Sequence, residues 1–141
     1  MRVTLLVLLS MILSVGSASA QSAFFSGTLD EAIAASKKQN KVLIVDFYAG
    51  WCKPCRQLDK STMSDSTVQA YVHKYFIMYK LDVDDSIGTT WKSKFHVYEY
   101  PTMMFFKPGN IDDTILRVEG YRPPELFLSD LRYLHETHHT K

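Results

Sequence analysis

The sequence predicts an α/β fold in which a mixed sheet of about four to five strands is covered by helices on both faces. Three observations carry this. "KVLIVDFYA", residues 41–49, is an almost unbroken run of β-branched and aromatic residues, the pattern of a strand buried on both sides. Segments of helical period alternate with such runs up to residue 95, as parallel crossover units do. Two further apolar runs, joined through Lys107-Pro108-Gly109-Asn110, then read as an antiparallel hairpin before a closing helix.

In chain order, Gly27-Thr28-Leu29-Asp30-Glu31 is a helix entrance, with Thr28 and Glu31 at capping-box spacing. Leu29, Ala32, Ile33 and Ser36 share one face of that helix. Lys37, Lys38 and Lys41 fall at or just past its end, where a helix favours positive charge. The strand "KVLIVDFYA" runs through Ala49-Gly50-Trp51 into a second helix starting near Cys52. "SDSTVQAYVHKYF" is helical, with Val68, Tyr71, Val72 and Tyr75 on one side. "IMYKLDVD" is the next strand and "DSIGTTWKSKF" a short helix. After Pro101, "TMMFFK" is a strand and "TILRVEG" its antiparallel partner. Pro123-Pro124 opens the last helix, which aligns Phe127, Leu131 and Leu134. Trp91, Phe95, Phe105, Phe106, Met78, Met103 and Met104 are expected to fill the core.

The chain has 141 residues, 46% hydrophobic and 22% charged, enough for one domain that buries its own core. "MRVTLLVLLSMILSVGSASA" has the form of a cleavable leader: a positive start at Arg2, an apolar stretch, and Ala18-Ser19-Ala20 as the cleavage site. The apolar stretch is shorter than the roughly 18 residues a bilayer span asks for, which disfavours an uncleaved anchor. No cysteine follows it for lipid attachment. The expectation is a leader over 1–20 and one domain over 21–141, its core spanning about 28–135. Beyond Arg2 the chain holds 15 basic and 15 acidic residues, which offers no basic field for nucleic acid. The ending "HETHHTK" carries no retention signal, so the periplasm or the cell exterior is the expected compartment.

The only two cysteines, Cys52 and Cys55, sit in "VDFYAGWCKPCRQL". A bridge between them encloses two residues and constrains the unfolded chain very little, so a structural staple is a poor reason for the pair. A zinc site asks for four ligands. His73 and His96 lie far off in no ligand spacing, and His135, His138 and His139 form a loose tail cluster expected to be solvated. A redox centre fits best. At the join of strand and helix, Cys52 faces unpaired N–H groups and the helix dipole, with Lys53 beside it, and these favour a thiolate. Cys55 follows by about one helical turn, close enough to resolve a mixed disulfide, and Pro54 stiffens the first turn.

"VDFYAGWCKPC" resembles the active-site strand and loop of the thioredoxin superfamily. Tyr100-Pro101-Thr102 with "MMFFKPG" resembles that family's cis-proline loop and following strand, "YKLDVD" its central strand, and Gly120 with the last helix its C-terminal end. The segment "YAGWCKPCRQLDKSTMSDSTVQAYV" most resembles exported thioredoxin-like proteins and the C-terminal domain of DsbD-type thiol-disulfide interchange proteins. The resemblance implies a thioredoxin fold and a dithiol exchange in which Cys52 attacks and Cys55 resolves. It assigns Asp46 to proton transfer, where the plain alternative is a strand-end carboxylate facing water. It pairs Lys80 with Asp46 across the sheet, where the alternative is an ordinary exposed lysine. Trp51, Lys53, Pro54, Tyr100 and Pro101 become the substrate-contacting surface, with a cis bond before Pro101; a core position is the alternative for Trp51. A Lys-Pro pair between the cysteines and Lys60 in place of the family's helix proline depart from cytosolic thioredoxin and favour a dedicated exported partner.

The expected activity is reduction of protein disulfides, with a disulfide oxidase or isomerase as the nearest rival. A metal-handling or cytochrome-assembly module using the cysteines as ligands is the rival of another class. No glycine fingerprint for a nicotinamide or flavin is present, so no cofactor is expected and electrons come from another protein. The expected partners are disulfide-containing clients and a membrane or periplasmic thiol donor, and the expected state is a monomer.

Overall fold

The computed structural model describes residues 22–138; the expected leader over 1–20 and His139 lie outside them. The elements are α1 (Leu29–Gln39), β1 (Val42–Tyr48), α2 (Lys53–Ser61), α3 (Ser66–Tyr75), β2 (Phe76–Asp82), α4 (Ser86–Lys94), β3 (Thr102–Lys107), β4 (Asn110–Glu119) and α5 (Pro124–His138). The sheet runs β2-β1-β3-β4, with β1 parallel to β2 and antiparallel to β3, and β3 antiparallel to β4. The expected mixed sheet is therefore present, with β1 inside it.

Local chemistry explains where the helices begin. The Thr28 hydroxyl accepts the Glu31 N–H at 3.2 Å, and the Glu31 carboxylate accepts the Thr28 N–H at 2.7 Å, closing the capping box read from the sequence. Asp65 accepts the N–H groups of Thr67 and Val68 to start α3, and Asp85 accepts that of Gly88 to start α4. At Gly88 a Cβ would lie 1.7 Å from the Asp82 carbonyl oxygen, so only glycine lets α4 approach the end of β2 this closely.

Strand alternation divides the core. Leu43, Val45 and Phe47 of β1 pack on the side of Leu29, Ala32 and Val97. Val42 and Ile44 face Leu58 of α2, Val68 and Val72 of α3, and Phe127, Leu131 and Leu134 of α5. Burial on both faces is why β1 reads as a continuous apolar run.

Three details differ from the sequence expectation. Phe76 begins β2 instead of ending α3, because it is buried and pairs with Val42. Strand β4 starts at Asn110, earlier than "TILRVEG", since Pro108-Gly109 alone make the turn, Gly109 at φ +67°. Its exposed Asn110, Asp112 and Thr114 are the outward residues of an edge strand, which imitate a loop in sequence. Trp91 and Phe95 stack with ring centroids 5.5 Å apart and lie half-buried against the core, whereas Phe105 and Phe106 are fully buried. The N-terminal segment is anchored: the Phe25 N–H donates to the Met78 carbonyl at 2.6 Å, alongside β2.

Candidate active site

Strand β1 delivers the chain to Ala49-Gly50-Trp51, and the Cys52 N–H donates back to the Ala49 carbonyl at 3.1 Å. Cys52 is the N-cap of α2, and its Sγ accepts the Cys55 N–H at 3.2 Å. Pro54 occupies the first turn, where a missing N–H costs nothing. The two cysteines form a disulfide with their Cα atoms 5.3 Å apart. Both residues are buried, at 3% and 2% exposure, so a partner must be brought against the sulfurs rather than meet them freely.

The Tyr100–Pro101 peptide is cis and stands opposite the pair, with the Tyr100 carbonyl oxygen 3.4 Å from Cys52 Sγ. The loop is held from two sides: the Gly120 N–H donates to the Pro101 carbonyl at 2.7 Å, and the Thr102 hydroxyl to the Glu99 carbonyl at 2.7 Å. Trp51 lies at the surface, 67% exposed, not in the core. Its Nε1–H donates to Asp84 Oδ2 at 2.9 Å, and its ring meets Tyr100 edge to face at 5.9 Å. Lys53 and Pro54 are exposed beside it. These five residues thus surround the disulfide.

Asp46 is 1% exposed, so it is not a strand-end carboxylate facing water. It shares a face of β1 with Ile44, the side covered by Leu58 of α2, and its Oδ1 has no hydrogen-bond partner. Burial pushes its pKa up to about 7; the Lys80 charge pulls the other way and the Asp59 charge adds to the rise. A carboxyl in that state accepts or releases a proton near neutrality.

The expected Asp46–Lys80 pair needs correction. Lys80 is the register partner of Asp46, but its ammonium forms its ion pair with Asp59 of α2. The reason is geometric. Directly paired residues project to one face, and α2 lies over that face, bringing Asp59 within reach of the long lysine. Lys80 acts on Asp46 only as a nearby charge. Its ammonium also sits over the rings of Tyr48, at 4.4 Å, and Phe24, at 5.0 Å. Asp59 is the participant that the sequence reading missed, and its own Oδ1 is buried without a partner. Its position four residues after Cys55, on the same side of α2, was the available signal.

Among the described residues, no group of three or more His, Cys, Asp or Glu side chains is placed to hold a metal ion. His135 is not a solvated tail residue: its ring stacks on Tyr75 at 3.8 Å, and Nδ1 lies 3.1 Å from the Tyr71 hydroxyl.

A family model described as thioredoxin-like matches residues 24–108. Thiol:disulfide interchange protein DsbD 1 of Pseudomonas aeruginosa is 30% identical over 94 residues, covering 65% of this chain and 16% of that protein. The chain therefore spans about one-sixth of the length of such relatives. A thioredoxin of Staphylococcus aureus is 36% identical over 90 residues, covering 64% of this chain and 79% of that one. Among solved structures, a thioredoxin from Thermus thermophilus superposes with a TM-score of 0.69 at 26% identity, covering 75% of this chain and 82% of that one.

Proposed function

The chain belongs to the thioredoxin-like family, and on that footing we propose that it is an exported thiol-disulfide oxidoreductase that reduces protein disulfides. The observation that carries the proposal is Cys52 Sγ at the N-cap of α2, accepting the Cys55 N–H. That position stabilises a sulfur anion, which is both the attacking form of the thiol and a good leaving group.

In this reading the reduced protein begins with a Cys52 thiolate and a Cys55 thiol. The thiolate attacks a client disulfide, forms a Cys52–client S–S bond and expels one client thiolate, which takes up a proton. Asp46 accepts the proton of Cys55, whose thiolate then attacks Cys52 Sγ. The Cys52–Cys55 bond forms and the second client thiolate leaves. Two electrons pass to the client, one disulfide is made for the one broken, and a thiol donor must supply the next pair. Trp51, Lys53 and Pro54 receive the client on one side. The backbone of Tyr100 and Pro101 receives it on the other, as an added strand would pair.

Asp46 favours the reductive direction, since a base near pKa 7 makes the resolving thiolate available at neutral pH. The leader-like residues 1–20 support export, to the periplasm or the exterior. A membrane or periplasmic thiol protein is the proposed donor, and the protein works as a monomer. The test of direction is the equilibrium reduction potential of Cys52–Cys55 against a thiol redox buffer. A value near about −270 mV is expected, as for a reductant. A value of about −120 to −180 mV would place it with oxidases and isomerases.

A further inference from the structure

We propose that the solvent face of α2 is a docking groove for client segments that carry acidic residues next to their disulfide. This rests on the reductase reading and names the substrates that the same site prefers. Lys53, Arg56, Gln57, Lys60 and Ser61 line an open groove of about 460 Å³ that begins at the residue after Cys52. Their spacing puts 53, 56, 57 and 60 on one helix face over roughly 10 Å, the reach of three extended residues.

The groove is charged in one sign. Lys53 and Lys60 are exposed, and neither forms an ion pair among the described residues. Arg56 Nη1 donates to the Gly50 carbonyl at 2.9 Å, which holds the guanidinium beside the active-site loop without neutralising it. The helix's one acid, Asp59, is turned to Lys80 on the opposite side. Beyond Cys52 the sign reverses, where Asp84 binds Trp51 and Asp82 and Asp85 flank it. The whole chain carries a formal charge of only +1, so this is a local field, not a general one.

Cations at a rim mainly accelerate encounter with a complementary partner and do so in a salt-dependent way. An extended client laid along the cis-proline loop therefore gains by setting carboxylates over α2 and loses by setting them beside Asp84. The surface selects the substrate's charge and also the direction in which its chain runs.

The test uses three synthetic peptides, each with one internal disulfide and flanked on one side by acidic, neutral or basic residues. Reduced full-length protein is mixed with each, and the second-order rate constant of its oxidation is followed by tryptophan fluorescence. At low salt the acidic peptide is expected to react about five- to tenfold faster than the basic one, with the gap closing near 0.5 M salt. The double variant Gln57→Glu/Lys60→Glu, which leaves Lys53 and Arg56 in place, is expected to abolish or invert that order while the neutral peptide keeps its rate. Equal rates for the acidic and basic peptides, or a preference untouched by the double variant, would overturn the proposal. If none of the three peptides is reduced, the reductase reading falls and this proposal falls with it.

Discussion

Cys52→Ser is expected to bring disulfide reduction down to the uncatalysed background, a loss of at least about a thousandfold. The hydroxyl keeps the N-cap geometry but cannot ionise near neutrality and cannot form the mixed disulfide. Insulin precipitation in the presence of dithiothreitol reads the loss directly. Folding is a separate matter, and the variant should melt close to the reduced wild type. The native bridge encloses two residues, so its absence alters the entropy of the unfolded chain little. Activity above about a tenth of wild type in a folded Cys52→Ser protein would mean that the attacking group lies elsewhere.

Asp46→Asn is expected to change the pH dependence of stability more than any other single polar substitution in the core. The folded-state pKa of about 7 stands above the ordinary 3.8, so the folded protein holds an extra proton between those values. Stability from this group is full below about pH 3.8, falls as pH rises, and levels off above about 7. The shift corresponds to about 4 kcal/mol over that window. Asparagine cannot ionise, so the variant should gain on wild type as pH rises from 4 to 7, reaching up to about 4 kcal/mol by pH 8. The cost of burying an amide with few partners lowers the variant by the same amount at every pH and leaves this pH-dependent gain unchanged. Urea unfolding of the two oxidised proteins across pH 4–8 measures it. Parallel stability curves would show that Asp46 ionises at its ordinary pKa and is no proton acceptor at neutral pH.

Both predictions depend on residues whose secondary-structure elements were visible in sequence, although whether Asp46 faced the core or water was open until its burial was seen. The β1 run had to be buried on both faces because every residue from Val42 to Phe47 was apolar except one, and the exception was Asp46. Thr28 and Glu31 form their capping box because the contact is local and needs no tertiary partner. Cys52 falls at a helix start because Pro54 tolerates only the first turn. What stayed hidden depends on distant contacts. Lys80 chose Asp59 over Asp46 because α2 lies over the sheet, and strand register alone says nothing of that helix. His135 looked like a tail residue because its partners Tyr71 and Tyr75 stand 60 or more positions earlier. The start of β4 looked like a loop because an edge strand puts polar residues outward in the same alternation as a polar turn.

The central claim is that Cys52 attacks and Cys55 resolves. Intact-mass spectrometry of the reduced Cys55→Ser protein, mixed with an excess of a disulfide-linked peptide, tests it most directly. The account predicts one persistent peptide adduct, mapped to Cys52, with no further release of thiol, while reduced Cys52→Ser under the same conditions stays largely unmodified. An adduct that forms faster on the remaining Cys55 of the Cys52→Ser protein, or none on Cys52, would contradict it.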